Sequence, residues 1–176
     1  MRVIAGELRG RKLAAPRGSA TRPTADRVRE ALFSILGDVS GTRVLDLYAG
    51  SGALGIEALS RGAVEAVFVD SSHDAVTAIR DNLANLGIEG SVQRRDALAW
   101  LAAVEGGTPF DLVFADPPYD SAVATGPLLA ERLPAVLSPA AVIVTESDKR
   151  SPLELPFELL RERTYGDTRV AVHRNG

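Results

Sequence analysis

The sequence contains no cysteine and only two histidines. Without cysteine it can form neither disulfide bonds nor cysteine-ligated metal sites, and its two histidines, His73 and His173, are too few for a histidine-rich centre. No apolar run approaches the roughly 18 residues that a membrane-spanning helix needs, and the N-terminus lacks the apolar segment of a secretion signal. These absences predict a cytoplasmic protein with no bound metal and no membrane partner.

The 176 residues, of which 45% are apolar and 24% charged, are typical of one globular domain. We expect a single domain over residues 1–176 that acts as a monomer. It divides into a basic N-terminal arm over residues 1–22, a helix over residues 23–37 and a core over residues 43–176. The helix is predicted from apolar residues at helical spacing after a cap at Thr24 or Asp26.

The formal net charge of −3 hides an uneven distribution of charge. Residues 1–29 carry eight basic and two acidic side chains, a net charge of +6, whereas the other 147 residues carry a net charge of −9. A basic segment before an acidic body is typical of nucleic-acid binding. The alternative is a solvated tail, but the apolar side chains of Val3 and Leu13 argue against it because a solvated tail has no core in which to bury them. The candidate substrate contacts are Arg9, Arg11, Lys12, Arg22, Arg27 and Arg29.

From residue 43 onward, short apolar stretches alternate with helical patterns. Strands are predicted at residues 43–48, 66–70, 91–95, 112–115 and 141–146, and helices at residues 54–61, 72–86, 97–103 and 123–133. Two further extended stretches, 157–164 and 168–173, have no helix between them, which predicts an antiparallel hairpin. The pattern predicts an α/β fold with a seven-stranded, mostly parallel sheet, the Rossmann-like arrangement of class I methyltransferases.

A glycine-rich turn follows the first predicted strand. Asp46 lies inside that strand, and Gly50, Gly52 and Gly55 follow it. Glycine lets the backbone approach a nucleotide closely, and this spacing also matches the dinucleotide fingerprint. A carboxylate at Asp46 would repel a pyrophosphate but suits the ammonium group of a methionine moiety, directly or through water or backbone amides. The turn therefore favours S-adenosylmethionine over a nicotinamide dinucleotide.

Acidic residues also end the second and third predicted strands. Asp70 lies 20 residues after Gly50, where a carboxylate binds ribose hydroxyls. Asp96 suits the adenine amine, although it is an equally natural helix N-cap, and the two roles can coexist. The candidate cofactor-binding residues are Asp46, Tyr48, Ala49, Gly50, Ser51, Gly52, Asp70, Ser71, Asp96 and Ala97.

The fourth predicted strand runs into Asp116-Pro117-Pro118-Tyr119. Proline ends the strand at the edge of the sheet where ligands of open α/β sheets bind. Asp116 and the Pro117 carbonyl are two acceptors for the hydrogens of an exocyclic amine, and Tyr119 offers a ring on which a base can stack. Asp116, Pro117 and Tyr119 are therefore the candidate catalytic residues for methylation of a planar amino nitrogen.

These motifs resemble the RsmD-type 16S ribosomal RNA guanine-N2 methyltransferases. The resemblance rests on residues 9–13, 22–33, 46–63, 116–119 and 165–168, and so spans nearly the whole chain. The glycine turn and Asp-Pro-Pro-Tyr are shared by a wider superfamily. The block Arg-Pro-Thr-Ala-Asp-Arg-Val-Arg-Glu at residues 22–30 is specific to the family. The chain departs from the family pattern at Ser34-Ile35-Leu36, which bears on local helix packing rather than on chemistry.

The resemblance implies a substrate, guanine 966 of 16S rRNA in an assembling small subunit with its ribosomal proteins. It also implies that the basic arm holds RNA. Separately, if the Arg-Pro-Thr turn folds back over the pocket, we expect Arg22 to contact the cofactor or the flipped base. Two other classes of protein stay open. One is a methyltransferase for another planar amine, such as adenine N6 or a protein glutamine. The other is a non-catalytic RNA-binding module, which the intact glycine turn and Asp-Pro-Pro-Tyr motif argue against.

Overall fold

The computed structural model describes residues 1–17, 26–104 and 106–176. The helices are α1 (Asp26–Leu36), α2 (Ala53–Ser60), α3 (His73–Leu86), α4 (Ala97–Ala103) and α5 (Ala122–Arg132). The strands are β1 (Arg43–Leu47), β2 (Glu65–Asp70), β3 (Ser91–Arg94), β4 (Phe110–Ala115), β5 (Leu137–Asp148), β6 (Glu158–Tyr165) and β7 (Thr168–Arg174). None of the helices in these ranges is long and apolar enough to cross a membrane.

The strands form one seven-stranded sheet in the order β3-β2-β1-β4-β5-β7-β6. Strands β1 to β5 are parallel to one another, whereas β7 pairs antiparallel with both β5 and β6. The predicted fold class, including the C-terminal hairpin, is confirmed. Because the strand order reverses between β1 and β4, a crevice opens there at the carboxyl ends of the strands, where such sheets bind ligands.

Each face of the sheet is covered by its own group of helices. Phe68 of β2 and Phe114 of β4 face the cluster that α1, α2 and α3 complete, and Val69 and Val113 face the cluster that α4 and α5 complete. Successive strand residues point to opposite faces, so strands buried on both sides must be almost wholly apolar. The buried charged side chain of β1, Asp46, is therefore an exception that needs a local reason.

Residues 1–17 form an N-terminal hairpin that folds back on the body of the protein. An antiparallel bridge joins Arg2 to Lys12, and Val3 and Leu13 are buried beside helices α1 and α2. The carboxylate of Glu57, in α2, accepts hydrogen bonds from the backbone N–H groups of Ile4 and Ala5. A solvated tail is thus wrong for residues 1–17. Residues 18–22 of the predicted arm, and residues 23–25 of the predicted helix, lie outside the described ranges.

Candidate active site at the carboxyl edge of the sheet

The turn between β1 and α2 bends sharply at positions that favour glycine. Gly50 and Gly52 have φ values of 56° and 75°, and Tyr48, just after the strand, has a φ of 59°. A left-handed φ is rare and costly for tyrosine. The strain at Tyr48 ends β1 one residue before the predicted boundary and directs the chain into the turn. The amide of Gly52 then closes the turn by donating to the Ala49 carbonyl at 2.7 Å.

The glycines of this turn serve different purposes. A Cβ on Gly50 would meet no atom within 4 Å, so that face of the turn is open to a ligand. A Cβ on Gly52 would come within 3.2 Å of Ile79 and 3.3 Å of Phe68, and one on Gly55 within 2.4 Å of Phe68. Gly52 therefore faces the packing between the turn and the sheet. Gly50 presents the open side of the turn, and the predicted approach of the Gly50 and Gly52 backbone to the cofactor stays a prediction.

Asp46 is buried at the base of the turn. Its side chain is 2% exposed, and its Oδ2 atom accepts a hydrogen bond of 3.0 Å from the backbone N–H of Gly55. Burial raises the pKa of Asp46 to about 8, and the charge of Asp70 adds to the increase. A buried carboxyl in this state gains from any cation that binds at the turn, because the cation stabilises the ionised form.

Asp70 is the last residue of β2, and Asp96 lies two residues beyond the end of β3, as the sequence predicts. Asp70 shapes the turn, since its Oδ2 accepts from the Gly50 amide at 2.9 Å and its Oδ1 from the Ser72 amide at 2.8 Å. Asp96 caps α4 through a bond of 2.8 Å from the Ala99 amide to Oδ1. The N-cap interpretation of Asp96 is thus confirmed, and its contact with adenine stays a prediction. Of their neighbours, Ser71 is exposed and Ala97 is buried.

The Asp-Pro-Pro-Tyr segment follows β4, which ends at Ala115 as predicted. Asp116 is half-buried, Pro117 is buried, and Tyr119 begins a short 3-10 helix that leads into α5. Burial raises the pKa of Asp116 well above its usual range, and the charges of Glu146 and Asp46 raise it further. The Tyr119 hydroxyl lies 3.2 Å from Thr168 Oγ1 in β7. Asp116 and Asp46 therefore stand close enough to interact at the switch point of the sheet.

Glu146 is a residue of this site that the sequence prediction did not select. It follows Thr145 of β5, which pairs with Ala115 of β4, so Glu146 lies within β5 at the level at which Asp116 follows β4. Both line a small cavity of about 10 Å³ together with Val28 of α1. An acidic residue at the end of a buried strand, as in Val144-Thr145-Glu146, was the available signal.

The candidate RNA contacts divide into exposed and buried residues. Arg9, Arg11 and Lys12 are exposed on the N-terminal hairpin, and Arg27 is exposed on α1. Arg11 also donates to the Asn85 carbonyl at 2.6 Å, which orients the hairpin against α3. Arg22 lies outside the described residues.

Arg29 is a correction to the sequence prediction. Its side chain is fully buried and donates to Asp26 Oδ1 at 3.0 Å and to the carbonyl of Arg2. Burial lowers the pKa of Arg29, although Asp26 and Glu57 oppose that change. Arg29 thus joins α1 to the N-terminal hairpin and is not available to RNA. The sequence around α1 did not indicate that Arg29 would be buried and Arg27 exposed.

Asn82 connects the N-terminal hairpin with the glycine turn. It is buried in α3, and its amide Nδ2 donates to the Ala14 carbonyl and to the Ser51 carbonyl, both at 3.0 Å. Its Oδ1 accepts from the Ala14 amide at 2.8 Å. One side chain therefore contacts both the segment that carries the basic residues and the turn that begins α2. The sequence prediction missed this residue because nothing in its local pattern distinguishes it from a surface helix position.

The whole chain is similar to known proteins. The family described as Conserved hypothetical protein 95 matches residues 1–174. The YlbH protein of Bacillus subtilis is 40% identical over 99% of this chain and 98% of its own length. Ribosomal RNA small subunit methyltransferase D of Escherichia coli is 36% identical over 99% of this chain and 89% of its own.

A solved structure from Thermus thermophilus, that of protein TTHA0928, has the same architecture. It is 30% identical, covers 99% of both chains and superimposes with a TM-score of 0.86. The agreement extends over the N-terminal hairpin, the glycine turn and the Asp-Pro-Pro-Tyr segment, which all lie inside the matched ranges. The chain therefore belongs to the Conserved hypothetical protein 95 family, the methyltransferase family of the ribosomal RNA small subunit methyltransferases D.

Proposed function

We propose that this methyltransferase transfers a methyl group from S-adenosylmethionine to the exocyclic N2 of a guanine in 16S rRNA. By family resemblance the target is guanine 966, modified by a monomeric enzyme during small-subunit assembly in the cytoplasm. The observation that carries the proposal is the position of Asp116. This residue lies at the end of β4, on the strand next to β1 and its glycine turn, and interacts electrostatically with Asp46.

The residues of the turn fit the cofactor. The open face at Gly50 leaves room for the backbone to approach a nucleoside, and Asp70 holds the Gly50 amide in place while keeping lone pairs for ribose hydroxyls. The buried carboxyl of Asp46 favours a cationic ligand. When bound, S-adenosylmethionine supplies a methyl group on a positively charged sulfur, which is already reactive toward a nucleophile.

The segment after β4 then has to orient the amine. The lone pair of an exocyclic amine is delocalised into the ring of the base, and it becomes available when acceptors hold the hydrogens and the nitrogen moves toward a tetrahedral shape. The Asp116 carboxylate and the Pro117 carbonyl are those acceptors in the proposal. A strong base is not required, because the amine becomes acidic once it is methylated and the proton then passes to Asp116 or to solvent. Positioning therefore supplies much of the rate.

The N-terminal hairpin supports an RNA substrate. Arg9, Arg11 and Lys12 are exposed on a segment that is fixed to α2 and α3, so they form a basic surface of defined position. Phosphate contacts of this kind position a nucleic acid without reading its sequence. The acidic remainder of the chain makes this surface the natural place for the phosphate backbone.

The direct test is methyl transfer from labelled S-adenosylmethionine to small subunits that lack the modification, followed by nucleoside analysis. We expect N2-methylguanosine at a single position, and none with Asp116→Ala. Label in N6-methyladenosine or in a protein glutamine would assign the enzyme to the alternative substrates. Absence of transfer to RNA and protein alike, with the cofactor bound, would contradict the proposal.

A further inference from the structure

Strand β5 adds a second carboxylate to the site, near its carboxyl end. Glu146 is 8% exposed, and its strand position brings it level with Asp116 because Thr145 pairs with Ala115. On its other side Glu146 pairs with Val170 of β7, so its backbone is fixed between two neighbouring strands. A side chain on the interior of a sheet, with both neighbours paired, is held far more firmly than one on a loop.

Asp116 and Glu146 line the same small cavity of about 10 Å³. The other lining residues are apolar and come from α1, α2 and the adjoining strands: Val28, Leu32, Leu54, Ala115, Val144 and Val170. The Glu146 charge also raises the pKa of both Asp116 and Tyr119. Glu146 therefore interacts with both side chains of the Asp-Pro-Pro-Tyr segment that the proposed function uses. A ligand that offers a hydrogen to each carboxyl stabilises the ionised form of each.

The Watson–Crick edge of guanine offers such hydrogens. Its exocyclic N2 carries two, and the adjacent ring nitrogen N1 carries a third. Adenine and cytosine have an unprotonated ring nitrogen at the corresponding place, which a carboxylate repels. A base taken out of its stack is read through hydrogen bonds to this edge and through stacking. One carboxylate on N2 and a second on N1 would accept from adjacent donors of the same base.

We infer that Glu146 determines base specificity by accepting a hydrogen bond from guanine N1–H while Asp116 holds the N2 amine. This inference rests on the proposed function and names the residue that makes its target a guanine. Glu146 acts on recognition of the base, whereas Asp116 acts on the nitrogen that is methylated. Loss of the Glu146 carboxylate should therefore change which base is accepted, not only how fast it reacts.

The test compares two bases in the same RNA. Small subunits are reconstituted with 16S rRNA that carries either guanine or 2-aminopurine at the target position. 2-Aminopurine keeps the exocyclic 2-amino group but has an unprotonated N1, which repels a carboxylate and accepts from an amide. The variant is Glu146→Gln, which nearly keeps the shape of the side chain and adds an N–H donor. Glu131→Gln, on the exposed surface of α5, is the matched control.

We expect the wild-type enzyme and Glu131→Gln to prefer guanine over 2-aminopurine in kcat/KM. In Glu146→Gln this preference should fall by roughly 10- to 100-fold, the range that one specific base contact provides. Binding of S-adenosylhomocysteine and the melting temperature are measured on each variant, so that a folding defect is recognised. If Glu146→Gln is folded and binds S-adenosylhomocysteine, an unchanged preference overturns the inference. If the wild-type enzyme makes no N2-methylguanosine, the proposed function itself fails.

Discussion

The hydroxyl of Tyr119 lies 3.2 Å from the hydroxyl of Thr168, and this hydrogen bond ties the Asp-Pro-Pro-Tyr segment to the first residue of β7. The two residues are 49 positions apart in sequence, and Tyr119 follows β4 whereas Thr168 begins β7. Tyr119 is only half-buried, so its ring keeps an accessible surface while its hydroxyl is fixed. The anchor thus restrains a residue that is proposed to stack on the target base.

Substitutions can distinguish the contribution of the Tyr119–Thr168 hydrogen bond from that of the Tyr119 ring. Tyr119→Phe and Thr168→Val both remove the hydrogen bond and keep the ring, so we expect a modest and similar loss of kcat/KM in each. Tyr119→Ala also removes the stacking surface and should cost a further ~1–3 kcal/mol in transition-state stabilisation. Steady-state methylation of small subunits measures all three variants. Equal activity for Tyr119→Ala and Tyr119→Phe would show that the ring does not stack on the base.

The activity of the enzyme should depend on the ionisation of Asp116. Burial, with Glu146 and Asp46 nearby, raises the pKa of this carboxyl, and the ionised form is the better acceptor for its amine hydrogen while the Pro117 carbonyl accepts the other. We therefore expect kcat/KM to rise with pH through the raised pKa of Asp116 and then to level off. Glu146→Gln removes one of the charges that raise the pKa, so its rising limb should move to lower pH.

Asp116→Asn provides the control for this profile. It should bind S-adenosylhomocysteine as the wild type does and lose nearly all turnover, with no rising limb in what remains. The profile is measured on small subunits at saturating cofactor, and cofactor affinity is measured separately by calorimetry. Wild-type turnover in Asp116→Asn would show that this carboxylate does not hold the amine.

The stability of the protein should decrease as the pH rises, because of Asp46. Its pKa is about 8 in the folded protein and 3.8 in its ordinary state, so between these values the folded protein holds a proton that the unfolded chain has lost. The contribution is complete below pH 4 and is lost as the pH rises to about 8. Asp46→Asn should have a flatter pH dependence of the unfolding free energy, and bind S-adenosylmethionine more weakly.

Urea denaturation of wild type and Asp46→Asn at pH 5 and pH 8 isolates this effect, because the other titrating groups are common to both proteins. The unfolding free energy of the wild type, relative to that of Asp46→Asn, should be lower at pH 8 than at pH 5. An equal difference at the two pH values would contradict the assignment. Asparagine keeps an oxygen that can accept from the Gly55 amide, so the turn is not deprived of that hydrogen bond.

The two glycines of the turn should respond differently to alanine. Both have positive φ, so each substitution costs about 1–2 kcal/mol in backbone strain. A Cβ at Gly50 enters open space, and we expect Gly50→Ala to weaken S-adenosylhomocysteine binding by more than the strain explains. A Cβ at Gly52 meets Ile79 and Phe68, so Gly52→Ala should mainly lower the melting temperature. Calorimetry and thermal melts on both variants distinguish the two roles, and the reverse pattern would contradict them.

The sequence was a good guide to the sheet and a poorer guide to individual side chains. Alternation of apolar strands with helices predicted the mostly parallel sheet, and Asp46, Asp70, Asp96 and Asp116 all lie at strand ends or beside the turn, because local pattern is enough to place them. The roles of Gly52 and Arg29 depend on contacts with residues far away in sequence. Gly52 lies against Phe68 and Ile79, and Arg29 bonds to Arg2 of the N-terminal hairpin. Neither contact can be predicted from the residues adjacent in sequence.

The N-terminal hairpin should affect RNA and cofactor through different residues. Replacing Arg9, Arg11 and Lys12 together by alanine removes exposed charges, so RNA affinity should fall. The salt dependence of that affinity should also flatten, by roughly 0.7–0.9 in slope for each phosphate that the variant no longer neutralises. Asn82→Ala leaves those charges in place but removes the hydrogen bonds to Ala14 and Ser51.

We therefore expect Asn82→Ala to weaken binding of S-adenosylhomocysteine, because Ser51 belongs to the glycine turn, while the salt slope for RNA stays that of the wild type. The triple variant should show the opposite pattern, with near-normal cofactor affinity and a flatter slope. Both are measured by titrating labelled small-subunit RNA at several salt concentrations, with calorimetry for the cofactor. An unchanged slope in the triple variant would mean that RNA binds to another surface. Normal cofactor affinity in Asn82→Ala would mean that the turn keeps its shape without the hairpin.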